Sequence, residues 1–237
     1  MNNLIIIKII QMMMMMIKKL CIVLFFFSIT VSAIAREKDF GIWYGFSAEH
    51  KLTKKLQVDL SANIRTFKKA SKIDEAFIEG GLDYNFSKHL SLAGSYRLTK
   101  KIEDNNSYYY QHKMFVDLKG SLTPGNFSFS ARVRLQTRTK TYIKDENDTH
   151  PDYTGRIKLK AVYKTPVFPL DPYIYVETFR PMFSALSGAV GKNRFSAGVE
   201  LKIAKRNSVE VEYILQRDFQ PHISDINIIS VNYNIKF

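Results

Sequence analysis

From Arg36 to its last residue the chain repeats one pattern: apolar and polar residues alternate with a period of two, and no stretch longer than about a turn carries helical spacing. The clearest runs set Leu56, Val58, Leu60, Ala62 and Ile64 against Gln57, Asp59, Ser61, Asn63 and Arg65, and Phe127, Phe129, Ala131, Val133 and Leu135 against Ser128, Ser130, Arg132, Arg134 and Gln136. Two more lie at 156–164 and 194–203, and weaker ones at 42–52, 75–86, 90–99, 108–122, 172–183, 208–217 and 226–237. The expectation is an all-β chain of eleven candidate strands. Short turns at 53–55, 87–89, 123–126, 165–171 and 205–207 alternate with more polar connections such as EDNNS, KDENDTHPD and FQPHISD.

Such alternation suits two architectures that are inside-out versions of each other. A soluble barrel or sandwich buries the apolar face, whereas a transmembrane barrel turns it to lipid and encloses the polar one. Run length favours the second: the runs reach the ~9 to 11 residues that cross a bilayer at a tilt, against ~5 to 6 for soluble strands. In hydrocarbon every backbone group needs a partner, and only a closed sheet supplies one without helices. The chain closes on SVNYNIKF, with Val231, Tyr233, Ile235 and Phe237 on one face. In a closed barrel that segment is the seam with the first strand. Tyr233, Ile235 and Phe237 are the expected signal for the barrel assembly machinery. Trp43, Tyr84, Phe86, Tyr108, Tyr109, Tyr110, Tyr142, Tyr153, Phe168 and Tyr173 sit near strand ends, where interfacial girdles are expected.

The N-terminus is of another kind. Residues 1–35 hold no acid, and Lys8, Lys18 and Lys19 precede CIVLFFFSITVSAIA, which ends in the small-x-small pattern Ala33-Ile34-Ala35. This predicts an export signal over 1–35, cleaved before Arg36, with translation starting at Met1 or at Met16 within MMMMM. A transmembrane anchor is the competing reading. A lipoprotein is excluded, because Lys18, Lys19 and Leu20 precede Cys21 where small residues are needed. Cys21 is the one cysteine, so the expected mature domain, 36–237, has no disulfide. Cleavage takes the net charge from +13 to +10. For an exported chain, that excess argues for anionic lipid or an acidic solute, not nucleic acid.

Several stretches carry a resemblance: DFGIW at 39–43, LTKKLQVDLSANIR at 52–65, LDYNFSKHLSLAGSYR at 82–97, RVRLQTR at 132–138, KNRFSAGVELKI at 192–203, EYILQ at 212–216 and the closing VNYNIKF. In order and spacing they resemble the outer-membrane barrel family catalogued as domain of unknown function 2490. The resemblance implies a barrel in the outer membrane of a Gram-negative bacterium and carries no activity or cofactor with it. Strand parity is the difficulty. Such barrels have even strand counts, so 10 to 12 antiparallel up-and-down strands are expected, with 12 preferred.

The strongest chemical signal is a basic wall on two neighbouring strands, Arg132, Arg134, Arg138 and Lys140 beside Arg156, Lys158, Lys160 and Lys164. Alternation points all eight into the lumen, where arginine forks can take carboxylates in pairs. Inward acids are expected at Glu75, Glu79, Asp83, Asp117, Glu177, Glu200, Glu210 and Glu212. An open anion-passing pore and an interior plugged by paired charges both remain open. A small porin with a basic lumen is the leading function, with a non-conducting structural barrel and a surface lipid hydrolase as alternatives. The hydrolase needs a Ser and a His in reach, and His112, among Tyr108, Tyr110 and Met114, has no neighbouring serine on its strand. The acids of 144–152 lack the glycine and terminal glutamate of a calcium loop. Lys68, Lys69, Lys72, Lys100 and Lys101 are candidates for meeting lipopolysaccharide phosphates, or form a solvated rim. No cofactor, catalytic residue or metal site is expected.

Overall fold

Apolar residues, many of them aromatic or β-branched, recur at about every second position of each run, which favours a pleated strand whose two faces meet different surroundings. The computed structural model describes residues 38–103, 107–141, 151–183, 191–219 and 225–237. The expected export signal, 1–35, lies outside them, as do Tyr142 and 144–150. Eleven strands follow in order: β1 (Lys38–Lys51), β2 (Leu56–Phe67), β3 (Lys72–Asn85), β4 (Leu90–Ile102), β5 (Tyr108–Leu122), β6 (Phe127–Lys140), β7 (Asp152–Tyr163), β8 (Leu170–Met182), β9 (Lys192–Ala204), β10 (Asn207–Asp218) and β11 (Asp225–Lys236). The shortest have 12 residues. At about 3.3 Å per residue and a tilt near 40°, that length spans about 30 Å, enough for the apolar band of a bilayer.

Each strand pairs antiparallel with the next, and the sheet closes into a barrel through β1 and β11. The count falls inside the expected 10 to 12, but it is odd, and the preference for 12 and for antiparallel pairing throughout is corrected here. An odd number of up-and-down strands leaves the first and last running the same way, so only a parallel ladder closes the sheet. That ladder extends from Lys38 opposite Asp225 to Glu49 opposite Lys236. The five short turns share one end of the barrel with Phe237, here called the turn end. The 68–71 turn, the strand ends that flank the remaining connections and the start of β1 lie at the other end, here called the loop end. There Asp39 accepts bonds from the Lys68 and Lys69 amides at 2.8 and 2.9 Å, holding a turn whose residues 68–70 all have positive φ.

Leu60, Ile78, Leu82, Met114, Leu135, Ile157 and Ile174 are exposed on the outside, while Glu75, Asp117, Arg134 and Glu177 are buried inside. This is the arrangement of a membrane-spanning barrel. Outward aromatics gather toward its ends: Tyr84 with Phe86 and Phe127 with Tyr163 at the turn end, Tyr108 with Tyr110 at the loop end. Three residues expected in the girdles face inward instead. Trp43 and Tyr173 lie under basic side chains of the lumen, and Tyr109 accepts a bond from Gln111.

The parallel seam is held from within by small polar groups. The Asn232 amide donates to Ser47 Oγ at 3.2 Å and to Asn234 Oδ1, and Ser47 Oγ donates to Asn234 Oδ1. Gly45 makes room for them: a Cβ there would strike Asn232 Oδ1 and come within 2.9 Å of Asn63 Oδ1. Phe237 completes the ladder, its amide donating to the Glu49 carbonyl at 2.9 Å. Gly45→Val is therefore expected to lower stability by about 1–3 kcal/mol through overpacking. Gly94→Ala, where an added Cβ meets nothing within 4 Å, is expected to change it by less than about 0.5 kcal/mol. Urea unfolding of the barrel in detergent, followed by fluorescence of its single tryptophan, measures both.

Candidate functional site: the charged lumen

Alternation sends one side chain in two into the barrel, and the ladder registers decide which of them meet. β6 and β7 place Arg132 opposite Lys158 and Arg134 opposite Arg156. The two strands expected to carry the basic wall are thus neighbours, with their cations side by side. These cations have partners. Arg134 grips Asp117 with two bonds of 2.6 Å. Arg132 and Arg156 both donate to Glu177 Oε1, at 2.7 and 2.8 Å. Arg138 meets Asp152 at 2.5 Å near the loop end. Toward the turn end, Lys158 and Lys160 lie 3.5 and 3.8 Å from the rings of Tyr175 and Tyr173. Lys164, just beyond β7, joins Lys202 on the fully buried Asp171, at 3.0 and 2.7 Å. Lys140 ends β6 at the loop end.

The structure adds residues that the basic wall did not include. Arg65, Arg97 and Arg194 project inward from β2, β4 and β9, and the aromatics Trp43, Phe77, Phe115 and Phe179 lie between guanidiniums. Arg65 stands 4.0 Å from the Trp43 ring and 4.8 Å from Phe77, and Arg97 3.9 Å from Phe77 and 5.1 Å from Phe115. Arg134 is 4.3 Å from Phe115. Phe179 has Arg156 at 4.3 Å and Arg194 at 4.7 Å, and Arg194 returns to Trp43 at 4.9 Å. With Arg134 and Arg156 paired in register, stacked rings and guanidiniums form a belt round the whole lumen. Strand phase was the signal for it: each of these aromatics keeps step with the charged positions of its strand, as Phe115 does with Lys113 and Asp117.

Carboxylates are scarcer than cations in this belt. Glu75 takes Arg65 at 2.6 Å and Lys113 at 3.7 Å, and Glu79 takes Arg97 at 2.5 Å. Glu177 receives Arg132, Arg156 and, at 3.9 Å, Arg194. Seven basic side chains, Arg65, Arg97, Lys113, Arg132, Arg134, Arg156 and Arg194, therefore share the four carboxylates Glu75, Glu79, Asp117 and Glu177. Buried donors without a protein partner persist at Arg65 Nε and Arg132 Nε. Burial of these groups lowers the local dielectric and strengthens every charge interaction among them.

The other candidate groups are dispersed. His112 Nδ1 lies 2.5 Å from the Tyr96 hydroxyl on the outer wall, and His89 Nδ1 lies 2.9 Å from the Ser121 carbonyl. Neither ring is placed on a serine hydroxyl as hydrolysis would require. Among the described residues no group of acids, histidines or cysteines is arranged to hold a metal ion. Of the acids in 144–152 only Asp152 is described, and it pairs with Arg138.

Closed sheet, apolar exterior and charged interior together define a membrane-spanning β-barrel. The chain belongs to the family described as Protein of unknown function (DUF2490), whose profile matches residues 40–227. No curated protein matches it by sequence. Among solved structures it is similar to the NanC porin, at 11% identity over 85% of this chain and 100% of that one, with a TM-score of 0.53. It also aligns with the β domain of the Bordetella autotransporter BrkA at 12% identity, 77% and 82% coverage and a TM-score of 0.44. For OccK11 (OpdR) of Pseudomonas aeruginosa the values are 14%, 73%, 54% and 0.36. The likeness to the NanC porin is one of fold.

The Arg134–Asp117 pair is almost fully enclosed, with side chains 7% and 3% exposed, whereas Arg138 and Asp152 are 39% and 52% exposed. Asp117→Asn, which strands a buried guanidinium, is expected to destabilise the barrel by about 3 kcal/mol or more. Asp152→Asn is expected to shift stability by no more than about 1 kcal/mol. Urea midpoints of the folded barrels in detergent test the contrast.

Proposed function

We propose that this barrel is a narrow outer-membrane channel of a Gram-negative bacterium that passes small anionic solutes, without enzymatic activity. The observation that carries this reading is the convergence of Arg132, Arg156 and Arg194 on the single carboxylate of Glu177. A solute carboxylate or phosphate entering there exchanges with an existing partner for the arginine forks, so it is held without a guanidinium ever being stranded. Passage then runs by exchange along the belt, each site binding firmly enough to admit the anion and weakly enough to release it. In this reading the short turns face the periplasm and the longer connections face outward. Tyr233, Ile235 and Phe237, outward-facing and at the seam, serve as the signal read by the assembly machinery.

A second reading, a structural barrel that does not conduct, draws on the burial of the same belt: Arg134, Arg156 and Arg194 have side chains only 7–11% exposed. Planar-bilayer recording separates the two. The channel reading expects discrete steps and, in a salt gradient, a reversal potential of the sign set by anions. Charge reversal at the hub, Arg132→Glu with Arg156→Glu, is expected to turn that sign toward cations. Silence from barrel shown to be folded by its heat-modifiable migration supports the structural reading. For assembly, removal of Phe237 is expected to reduce heat-modifiable barrel in the outer-membrane fraction several-fold, while a C-terminal Phe237→Tyr change leaves it in place.

A further inference from the structure

The outer wall of the barrel is not uniformly bulky. On β1–β5 a groove of about 500 Å³ opens outward, with Lys100 and Tyr110 along its edge. Strand register explains its depth. Ala62 lies between Phe46 and Ile78, and Ala76 between Ile64 and Lys100, so two methyl groups on adjacent strands form a floor between large side chains. The groove is lined mainly by apolar groups, a surface that suits an acyl chain.

Lys100 makes this sector distinctive. It sits on the outward face of β4, a position where hydrocarbon would surround it unless it reaches an interface. Its ammonium lies 3.9 Å from the Tyr108 ring, and no described carboxylate forms an ion pair with it. The next residue along β4, Lys101, pairs instead with Asp74 of the bulged β3. At the same loop end the positive-φ turn held by Asp39 carries Lys68 and Lys69, just past the end of β2. An apolar floor with Lys100 at its margin matches a lipid with an anionic head, and the turn lysines at the same end of the barrel suit a head with more than one phosphate.

We propose that this groove is a binding site for a phosphorylated glycolipid of the lipid A type, one acyl chain lying over Ala62 and Ala76 and a phosphate meeting Lys100. The choice of an outer-leaflet lipid rests on the orientation proposed above, in which the loop end faces outward. The site is independent of conduction, and binding in detergent is independent of orientation, so a failure here is distinct from a failure of the channel reading.

The test uses full-length barrel purified in detergent, mixed with equal amounts of bis-phosphorylated lipid A and phosphatidylglycerol, with bound lipid read by native mass spectrometry. Lipid A is expected to exceed phosphatidylglycerol in the one-to-one adduct by about fivefold, the scale of one added lysine–phosphate contact. Lys100→Gln is expected to remove most of that preference, as is dephosphorylation of the lipid. Ala76→Phe, which fills the floor, is expected to abolish the lipid A adduct, while Ala197→Phe on the outward face of β9 leaves it unchanged. Lys100→Gln alters only an exterior side chain and keeps the test decisive if Ala76→Phe misfolds. Equal retention of both lipids, preference for phosphatidylglycerol, or a lipid A adduct unaltered by Lys100→Gln overturns the proposal.

Discussion

Pairing of backbone groups where no water reaches is the constraint from which the rest of this barrel follows. Strands of 12 to 15 residues with bare edges cannot lie in hydrocarbon, so the sheet has to close. With eleven strands it closes in parallel. Parallel ladders are slightly weaker per residue than antiparallel ones, and β1 and β11 are joined by no local hairpin. The compensation is inside the seam, where Ser47, Asn232 and Asn234 hydrogen-bond around Gly45. Outside it, Phe46 stacks on Tyr233 with centroids 6.2 Å apart.

Closure also sets the problem that the lumen solves. Eleven strands about 4.8 Å apart and tilted about 40° enclose a cylinder about 22 Å across between backbones, wider than an eight-stranded barrel that side chains fill readily. Long side chains are needed to cross it, and arginine and lysine are the longest. Their charges would repel if packed alone. Interleaving Trp43, Phe77, Phe115 and Phe179 gives Arg65, Arg97, Arg134, Arg156 and Arg194 an aromatic face, an interaction of about 0.5–2 kcal/mol, and lets four carboxylates serve seven cations. The same device packs more cations than carboxylates into the interior.

Alternation alone made the strands, the inside-out arrangement and the adjacency of Arg132, Arg134, Arg156 and Lys158 legible in the sequence, because a period of two is a property of each strand by itself. The parallel seam was not legible in that way: parity depends on the total count, and the odd count that stood against the expected even number is the topology itself. The aromatics misled for a related reason. Position near a strand end suggested a girdle for Trp43, Tyr109 and Tyr173, but facing is decided by phase, and all three share the phase of the lumen. Which cation finds which acid lies further out of reach. Arg194 meets Glu177 because register places β8 and β9 side by side with Glu177 opposite Arg194, a long-range fact that no single run contains.

Seam and belt are physically joined at Trp43. The inward positions of β1 read Gly41, Trp43, Gly45: a Cβ on Gly41 would lie 2.5 Å from the Thr66 carbonyl, just as one on Gly45 would strike Asn232. Between these two close approaches the indole projects into the lumen, and Arg65 from β2 and Arg194 from β9 pack against it. Arg194 reaches it past β10 and β11, whose inward side chains there include Ile214 and Ile228, both essentially inaccessible, and it donates to Gln216 on the way, at 2.9 Å. The belt therefore bridges the one junction of the barrel that lacks a covalent turn. A chain that must seal a parallel seam and also line its lumen with cations does both with the same tryptophan, which ties the mechanical integrity of the wall to the charge arrangement on which any passage of anions would depend.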